Sequence, residues 1–555
     1  MVFELLMHVV CSGEVLQAVL ARTKSVGSAQ NDALMAVDRP ALDAGDLKRS
    51  ASSRTGSPLF RSSAGAVPVG LVPTMGALHA GHTSLIDRSI RDCTLTVVSI
   101  FVNPLQFGPT EDLDRYPRQL QADLDLCRAA GVDIVFVPHP TDILSGQTLD
   151  EVTQVIPPAG AIATLCGPMR PGHFEGVLTI VLKLLSLVQP DLAYFGQKDA
   201  QQLALIRRMV DDFKLPTAIV GCPIVRDPDG LALSSRNQYL SDRERQVALT
   251  LSRGLFAAKA QFDAGERNAE ILRETARSVY HNQLELHIQY IDVVHPNTLE
   301  PLTTVSQSGL VAAAAVVGQT RLIDNVQLDI PRKPILAIDG PAGAGKSTVA
   351  RQLASGLGLL YLDTGALYRA VTWLALECNV DIDDEVAVAD LAASADIRFE
   401  PSGDAERPAK VWVRDREVAQ DIRTQAVTAN VSAVSAHPMV RDILLKVQQE
   451  MGRQGGVVME GRDIGTAIFP DAELKIFLTA TPGERARRRQ RDLAAVGTSV
   501  DLQELEQQIQ ERDRKDSQRA ASPLRKADDA LEVLTDGLTQ AQVVQKIAGL
   551  YRELG

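Results

Sequence analysis

The sequence predicts an α/β protein built from two successive units, and three observations carry that expectation. Short apolar runs rich in β-branched residues alternate with helical patterns along most of the chain, which is the pattern of parallel sheets covered by helices. A glycine-rich loop, Gly340–Thr348, directly follows one such run and opens a helical stretch. A polar segment with two prolines, Val326–Pro334, separates the first series of runs from the second and reads as a linker.

At 555 residues the chain exceeds one hydrophobic core, and its length suggests roughly three or four domains. With 45% apolar and 23% charged residues it has material for several cores. The net charge of −12 argues against nucleic acid or an anionic membrane as partner, while leaving room for small anions in a local basic pocket. The six cysteines are scattered, with no C-x-x-C pair, so neither a disulfide framework nor a zinc site is expected and a reducing cytoplasm fits. Met1–Ala21 is interrupted by Glu4 and Glu14 and lacks a basic start, unlike a signal peptide. Leu310–Val317 is too short to span a bilayer.

In chain order, residues 1–66 begin with a strand and helix over Val9–Ala21. They then turn rich in Ser, Ala, Asp and Arg up to Gly65, a composition that reads as a loop or disordered insertion. Val69–Val72, Leu95–Val102, Ile134–Val137 and Leu192–Phe195 look like buried parallel strands, within a unit running to about Asn325. After the linker at 326–334, a fresh buried strand starts at Ile335–Asp339. Val457–Met459, Leu474–Leu478 and Leu531–Leu534 are the further strands of a unit covering 335–555.

The loop Gly340-Pro-Ala-Gly-Ala-Gly-Lys-Ser-Thr348 fits G-x-x-x-x-G-K-[ST] in its required strand–loop–helix setting. Glycines at 340, 343 and 345 let backbone N–H groups converge on phosphate oxygens, helped by the helix N-terminus. Lys346 reaches the β- and γ-phosphates, Thr348 completes the cradle, and the Ser347 hydroxyl is placed to ligate Mg²⁺ carried by ATP. The loop by itself identifies a nucleoside triphosphate, not the acceptor.

Motifs further along the chain indicate the acceptor. Tyr361-Leu-Asp-Thr-Gly-Ala-Leu-Tyr-Arg369, then Glu460-Gly-Arg-Asp-Ile-Gly-Thr466, then an arginine-dense helix, resemble bacterial cytidylate kinase in that order, over Pro334–Gly555. The resemblance implies a P-loop nucleoside monophosphate kinase domain acting on CMP or dCMP. It places Thr364 and Arg369 at the acceptor nucleotide and Ser432, Arg441 and Asp463 at the cytosine. Arg462, Asp516 and Arg519 fall near its ribose or phosphate. The chemistry agrees: the N4 amino group of cytosine donates, which suits a carboxylate, and a guanidinium fork suits phosphate. Arg485, Arg488 and Arg489 share one helix face at i, i+3 and i+4, with Arg487 and Arg491 beside them. Alone this is a solvated basic face balanced by acids such as Asp492 and Glu504. At the position of the family's mobile lid it is expected to clamp phosphate, with Arg485 and Arg488 as the catalytic pair alongside Lys346.

In the first unit, Pro73-Thr-Met-Gly-Ala-Leu-His79-Ala-Gly-His82 lies between a strand and a helix. A histidine pair at i, i+3 could be a cap or half of a metal site, and no third ligand is evident. The pattern instead resembles nucleotidyl-transferring enzymes, where imidazoles and a helix N-terminus stabilise charge at the α-phosphate of ATP. Ser99-Ile-Phe-Val-Asn-Pro-Leu-Gln-Phe107, Arg170-Pro-Gly-His-Phe174, Phe195-Gly-Gln-Lys-Asp-Ala-Gln-Gln202 and Leu233-Ser-Ser-Arg-Asn237 narrow the resemblance to pantothenate synthetase, over Val67–Asn325.

That resemblance implies a Rossmann-like domain over 67–220 and a small α+β subdomain over 221–325. It implies ATP, pantoate and β-alanine as substrates, a pantoyl adenylate as intermediate, and a homodimer through this half. Met75, Gly76, Ala77, Leu78, His79, Ala80, Gly81 and His82 would line the ATP site, with His82 as proton donor. Gln106 and Gln202 would hold pantoate. Gly196, Gln197, Lys198, Asp199 and Val225 would contact adenosine, Lys198 also balancing phosphate charge. Leu233, Ser234, Ser235 and Arg236 would form a mobile phosphate-binding segment. His173 reads equally as a structural or a catalytic histidine. His79 comes later in the chain than the family usually has it, so either Thr23–Gly65 is an insertion or the start is misplaced. An adenylate-forming ligase joined to a uridylate or adenylate kinase, or to a nucleotide sensor without turnover, is the rival reading. Asp463, Ser432, Gln106, Gln202 and an intact Lys346–Ser347 weigh against it.

Overall fold

The structure is a computed structural model and describes residues 7–29, 67–108, 111, 113–144, 152–281, 283–400, 410–495, 500–518 and 522–554. The expected insertion lies outside these residues from position 30 onward, as does Arg519. The chain folds as two compact units, the first ending at Ile330 and the second starting at Pro331. Among the described residues no helix is long and apolar enough to cross a membrane.

The first unit is built on six parallel strands: β1 (His8–Val10), β2 (Val69–Thr74), β3 (Leu95–Ile100), β4 (Ile134–Phe136), β5 (Leu192–Gly196) and β6 (Ala218–Cys222). Their order is β1-β4-β3-β2-β5-β6. β3 is buried at every position and β2 at all but one, as expected of strands covered on both faces. The strand order reverses between β2 and β5, and the C-terminal ends of strands at such a reversal form a crevice where ligands bind. β1 closes the edge beside β4, with His8 opposite Ile134. The helix after it runs Gly13–Ala29, past the point where Ser and Gly suggest a loop. Such residues each cost under about 1 kcal/mol in a helix, too little to stop one already nucleated on a packed face.

The unit continues with helices Asp242–Asp263 and Ala269–His281 against an antiparallel sheet of β7 (Leu286–Val294), β8 (Ser308–Val317) and β9 (Thr320–Asp329). Leu251, Leu255, Phe262, Leu272, Val293 and Val311 form its core. The expected linker at 326–334 needs correction: Val326–Asp329 belong to β9 and pair with Val311, Leu310, Gly309 and Ser308. Val326 and Leu328 are buried while Gln327 and Asp329 are exposed, a period of two that the nearby prolines obscured. Arg226 forms a bidentate pair with Asp324 of β9, at 2.7 and 2.8 Å. This ties the turn ahead of Leu233–Arg236 to the antiparallel sheet.

The second unit has β10 (Leu336–Asp339), β11 (Leu360–Asp363), β12 (Ile397–Glu400), β13 (Lys410–Val413), β14 (Arg416–Glu417), β15 (Val457–Gly461), β16 (Leu474–Thr479) and β17 (Leu531–Leu534). Five of them make a parallel sheet in the order β11-β15-β10-β16-β17, and β12-β13-β14 form a separate antiparallel sheet. Leu336, Ile338, Val458, Ile476 and Leu478 pack with Val349, Leu353 and Ile547 on one face of the parallel sheet. Ile335, Ala337, Val457, Met459 and Phe469 fill the other. The C-terminal ends of β10, β11, β15, β16 and β17 therefore carry the loops at one end of the sheet.

The Arg226–Asp324 pair, with its carboxylate buried, supports a stability prediction, since removing one partner leaves an uncompensated charge at about 3 kcal/mol. By calorimetry, Asp324→Asn should lower the thermal midpoint of the first unit by roughly 6–12 °C. A fall of less than about 2 °C would show that water replaces the carboxylate without cost.

Candidate active sites

In the first unit, the chain leaving β2 must turn at once into helix Ala80–Asp92. Gly76 has φ +82° and Ala77 φ +50°, the second an uncommon conformation for a residue with a Cβ. The turn is held by Asp123, a buried carboxylate from helix Leu120–Ala130. Its two oxygens accept from Ala77 N at 2.9 Å and Leu78 N at 2.8 Å. A Cβ at Gly76 would lie 3.0 Å from that carboxylate, and with φ +82° any other residue there would be strained.

The histidines close the turn. His79 Nδ1 accepts from Gly81 N at 3.1 Å, and His82 Nδ1 accepts from His79 N at 3.3 Å, a reciprocal cap. Both Nδ1 atoms are thus acceptors, so each neutral ring carries its proton on Nε2. Burial lowers the pKa of both, aided by Lys198 at His79 and by His79 at His82, whose value falls to about 3. At neutral pH the pair offers two Nε2–H donors at a helix N-terminus and no imidazolium.

These rings face a cavity of about 250 Å³ that gathers most of the expected residues. Met75, Gly81, Gln106, Gly196, Lys198, Asp199 and Gln202 line it, as do Val225 and Leu233, Ser234, Ser235 and Arg236. Ala77 and Leu78 turn their backbone N–H groups toward Asp123, Gly76 donates to Thr74 Oγ1 at 3.3 Å, and Ala80 is exposed. Gln197 gives its carbonyl to Asn325 of β9, whose Nδ2 also donates to Lys198 O, at 3.0 and 2.9 Å. That contact fixes the turn bearing Lys198. Gln106 is set by Asn103 at 3.1 Å and donates to Met75 Sδ at 2.8 Å.

His173 is satisfied at both nitrogens. Nδ1 donates to Gln106 O at 2.8 Å, and Nε2 accepts from Arg170 at 2.9 Å. Arg170 in turn pairs with Glu111. Burial and Arg170 lower the His173 pKa to about 4, and from the lining of the same cavity its ring holds the Gln106 backbone.

In the second unit, Gly340, Gly343 and Gly345 all have positive φ, and a Cβ at Gly340 would lie 2.0 Å from Leu478 O. Lys346 is buried and folds over the loop, donating to Gly340 O at 2.7 Å and Pro341 O at 2.9 Å. Burial and the charge of Arg462 lower its pKa to about 7. Asp339, at the end of β10, accepts from Ile464 N at 2.8 Å and Gly465 N at 2.7 Å. Burial pushes its pKa up to about 6 against those bonds. It fixes the turn that presents Arg462 and Asp463.

Asp463 pairs with Arg441, which lies over the Tyr368 ring. Ser432 is exposed at the neighbouring helix Gln425–Val434. Arg462 donates to Asp516 at 2.9 Å and Gly340 O at 2.8 Å. Thr364 is buried and donates to Glu460 O at 2.8 Å, and Arg369 reaches Thr428 at 3.0 Å.

Lys346, Ser347, Thr348, Arg369, Arg485, Arg488, Arg489 and Arg512 line a cavity of about 950 Å³. The expected catalytic pair is placed differently from a free clamp. Arg485 donates to Ala480 O, Ala342 O and both oxygens of Asp513, which uses four of its five N–H groups. Arg488 is shared among Glu484, Thr535 and Ala344 O. Arg489 and Arg512 carry no ion pair among the described residues, and burial and Arg462 lower the pKa of Arg512. Sequence reasoning missed Arg512, although it lies four residues before Asp516 on one helix face. It missed Asp123, Asn325 and Asp339 because their partners are backbone groups that no spacing announces.

Two family models match the chain: pantoate-beta-alanine ligase over residues 49–327 and cytidylate kinase over 336–553. The bifunctional pantoate ligase/cytidylate kinase of Trichormus variabilis is 55% identical over 489 residues, 87% of this chain and 91% of the relative. The protein of that name from Synechococcus elongatus is 56% identical, over 88% and 92%. A pantothenate synthetase structure from Thermus thermophilus is 36% identical, covering 58% of this chain and 100% of that one, with TM-score 0.48.

The histidine geometry sets a pH dependence for the ATP-consuming step of the first site. With His82 neutral above about pH 4, the rate should stay level as pH rises from 6 through 8. A loss with its midpoint near 6.5 would mean that the imidazolium is the working form.

Proposed function

The chain belongs to the pantoate–β-alanine ligase family in its first half and to the cytidylate kinase family in its second, and from this premise we propose how each site works. It is a bifunctional enzyme that condenses pantoate with β-alanine using ATP and phosphorylates CMP from ATP. The observation that carries the site assignments is the presence of two phosphate-facing turns in one chain, each opening a helix and each lined by residues suited to its own acceptor.

In the ligase half, a Rossmann-like reading of the β2–β5 crevice seats ATP on the His79–His82 turn. Gln106 and Gln202 hold pantoate, since neutral amides suit its hydroxyls and carboxylate. A pantoate carboxylate oxygen attacks the α-phosphorus and pyrophosphate leaves, giving the pantoyl adenylate. The Nε2–H groups of His79 and His82, with Lys198, receive the charge that builds there. The β-alanine amine then attacks the acyl carbon, and AMP departs with its oxygen. Leu233–Arg236 closing over the cavity would keep water from the anhydride.

In the kinase half, the glycine loop acts as a P-loop: its N–H groups and Lys346 hold the ATP phosphates, and a CMP phosphate oxygen attacks the γ-phosphorus in line. Asp463, held by Arg441, accepts from the cytosine N4 amino group, with Ser432 at the edge of the base. Arg369, Arg462 and Arg512 surround the acceptor phosphate, with Asp516 at its ribose. Among the described residues of this pocket, Arg369, Arg489 and Arg512 are the arginines without an ion pair, and they are better placed than the expected Arg485–Arg488 pair to meet phosphate.

The residues fit an ATP-bound Mg²⁺. Glu460 is buried with Oε2 unpartnered, and Ser347 lies beside that carboxylate. Ser347 would hold the ion, and the Glu460 carboxylate beside it would support it. Bound there with the nucleotide, Mg²⁺ would offset the negative charge of the ATP phosphates.

Two assays test these assignments. Lys346→Ala should lower CMP phosphorylation at least about 100-fold while pantothenate formation stays at the wild-type rate; equal loss of both would mean the halves are not independent. Pyrophosphate–ATP isotope exchange should require pantoate and proceed without β-alanine. Exchange without pantoate, or none at all, would remove the adenylate from the mechanism.

A further inference from the structure

The phosphate loop of the kinase half is gripped from outside. Its alternate carbonyls at Gly340, Ala342 and Ala344 each accept from a different arginine: Arg462 at 2.8 Å, Arg485 at 3.1 Å and Arg488 at 3.4 Å. With those carbonyls committed to arginines, the intervening N–H groups are left for an anion, as a backbone nest requires. Two of the three arginines are held in turn by carboxylates of helix Leu502–Gln518. Asp513 takes Arg485 in a two-point fork at 3.0 and 2.5 Å, and Asp516 takes Arg462 at 2.9 Å. These aspartates sit at i, i+3, on one side of the helix that also carries Arg512.

We propose that Asp513 is a positioning residue for phosphoryl transfer, locking Arg485 and through it the Ala342 carbonyl, so that the loop is preset for the phosphates of ATP. The Arg485 side chain is only 4% exposed, and beyond the fork to Asp513 it donates to Ala342 and Ala480. It therefore meets the loop backbone and the helix, not the transferring group. A planar fork matched to two carboxylate oxygens holds one orientation, which a single-point contact does not. Asp513 itself faces Arg485, whereas the cytosine-side residues Arg441 and Asp463 pair with each other. The lock thus acts on the donor nucleotide and not on the acceptor.

The proposal rests on the kinase reading, and steady-state titrations of ATP and CMP on the full chain test both, with pantothenate formation as an internal measure of folded protein. Asp513→Asn should raise the KM for ATP about tenfold, the worth of one charge-assisted hydrogen bond. The KM for CMP should stay within about twofold, and Asp513→Glu should recover most of the ATP effect because it keeps the carboxylate. If Asp513→Asn fails to fold, Arg485→Lys interrupts the same fork and should give the same ATP-side shift. Loss of turnover with both KM values unchanged, or an equal rise in both, would overturn the lock. A wild-type chain that does not phosphorylate CMP would overturn the kinase reading beneath it.

Discussion

A turn whose N–H groups must be left for a phosphate cannot pair them in a helix or sheet, so some other group has to fix its backbone. In the ligase half that group is Asp123, accepting from Ala77 and Leu78 beneath the histidine turn. In the kinase half arginines hold the carbonyls of the phosphate loop, and Asp339 fixes Ile464 and Gly465 in the neighbouring turn that presents Arg462 and Asp463. A buried carboxylate with two backbone donors is costly to desolvate and strong once paired. It therefore specifies one conformation of a loop that propensity alone leaves open, including the left-handed Ala77.

Charge is handled in opposite ways at the two sites. The ligase histidines are driven toward the neutral form by burial and by neighbouring charge, which makes them uncharged hydrogen-bond donors through Nε2–H. The kinase site concentrates guanidinium groups and then neutralises most of them with Asp513, Asp516, Glu484 and Asp463. Among the described residues of the pocket, Arg369, Arg489 and Arg512 carry no ion pair, so an acidic chain keeps a basic pocket without leaving every arginine uncompensated.

Both sheets place these turns at the C-terminal ends of parallel strands, where helix N-termini converge. On the proposed site assignments, the same backbone arrangement serves attack at the α-phosphorus in one half and at the γ-phosphorus in the other. The difference lies in which side chains surround the nucleotide: amides and imidazoles for a carboxylate acceptor, guanidinium groups for a phosphate acceptor.

The sequence by itself determined the two α/β units, the main strands and the residues of both phosphate turns. Those features are local: glycines at fixed spacing, buried β-branched runs, histidines at a helix start. It did not determine that Val326–Asp329 finish a strand, because prolines just beyond masked a short alternation. Nor could it separate Arg485 and Arg488 from Arg489 and Arg512, which are alike in sequence and differ only in what faces them. Asp123, Asn325 and Asp513 were illegible for one reason: their partners lie 28 to 128 residues away. Which arginine is spent on a carboxylate and which is left for substrate is settled only when distant helices pack, because an ion pair is made in space and not along the chain.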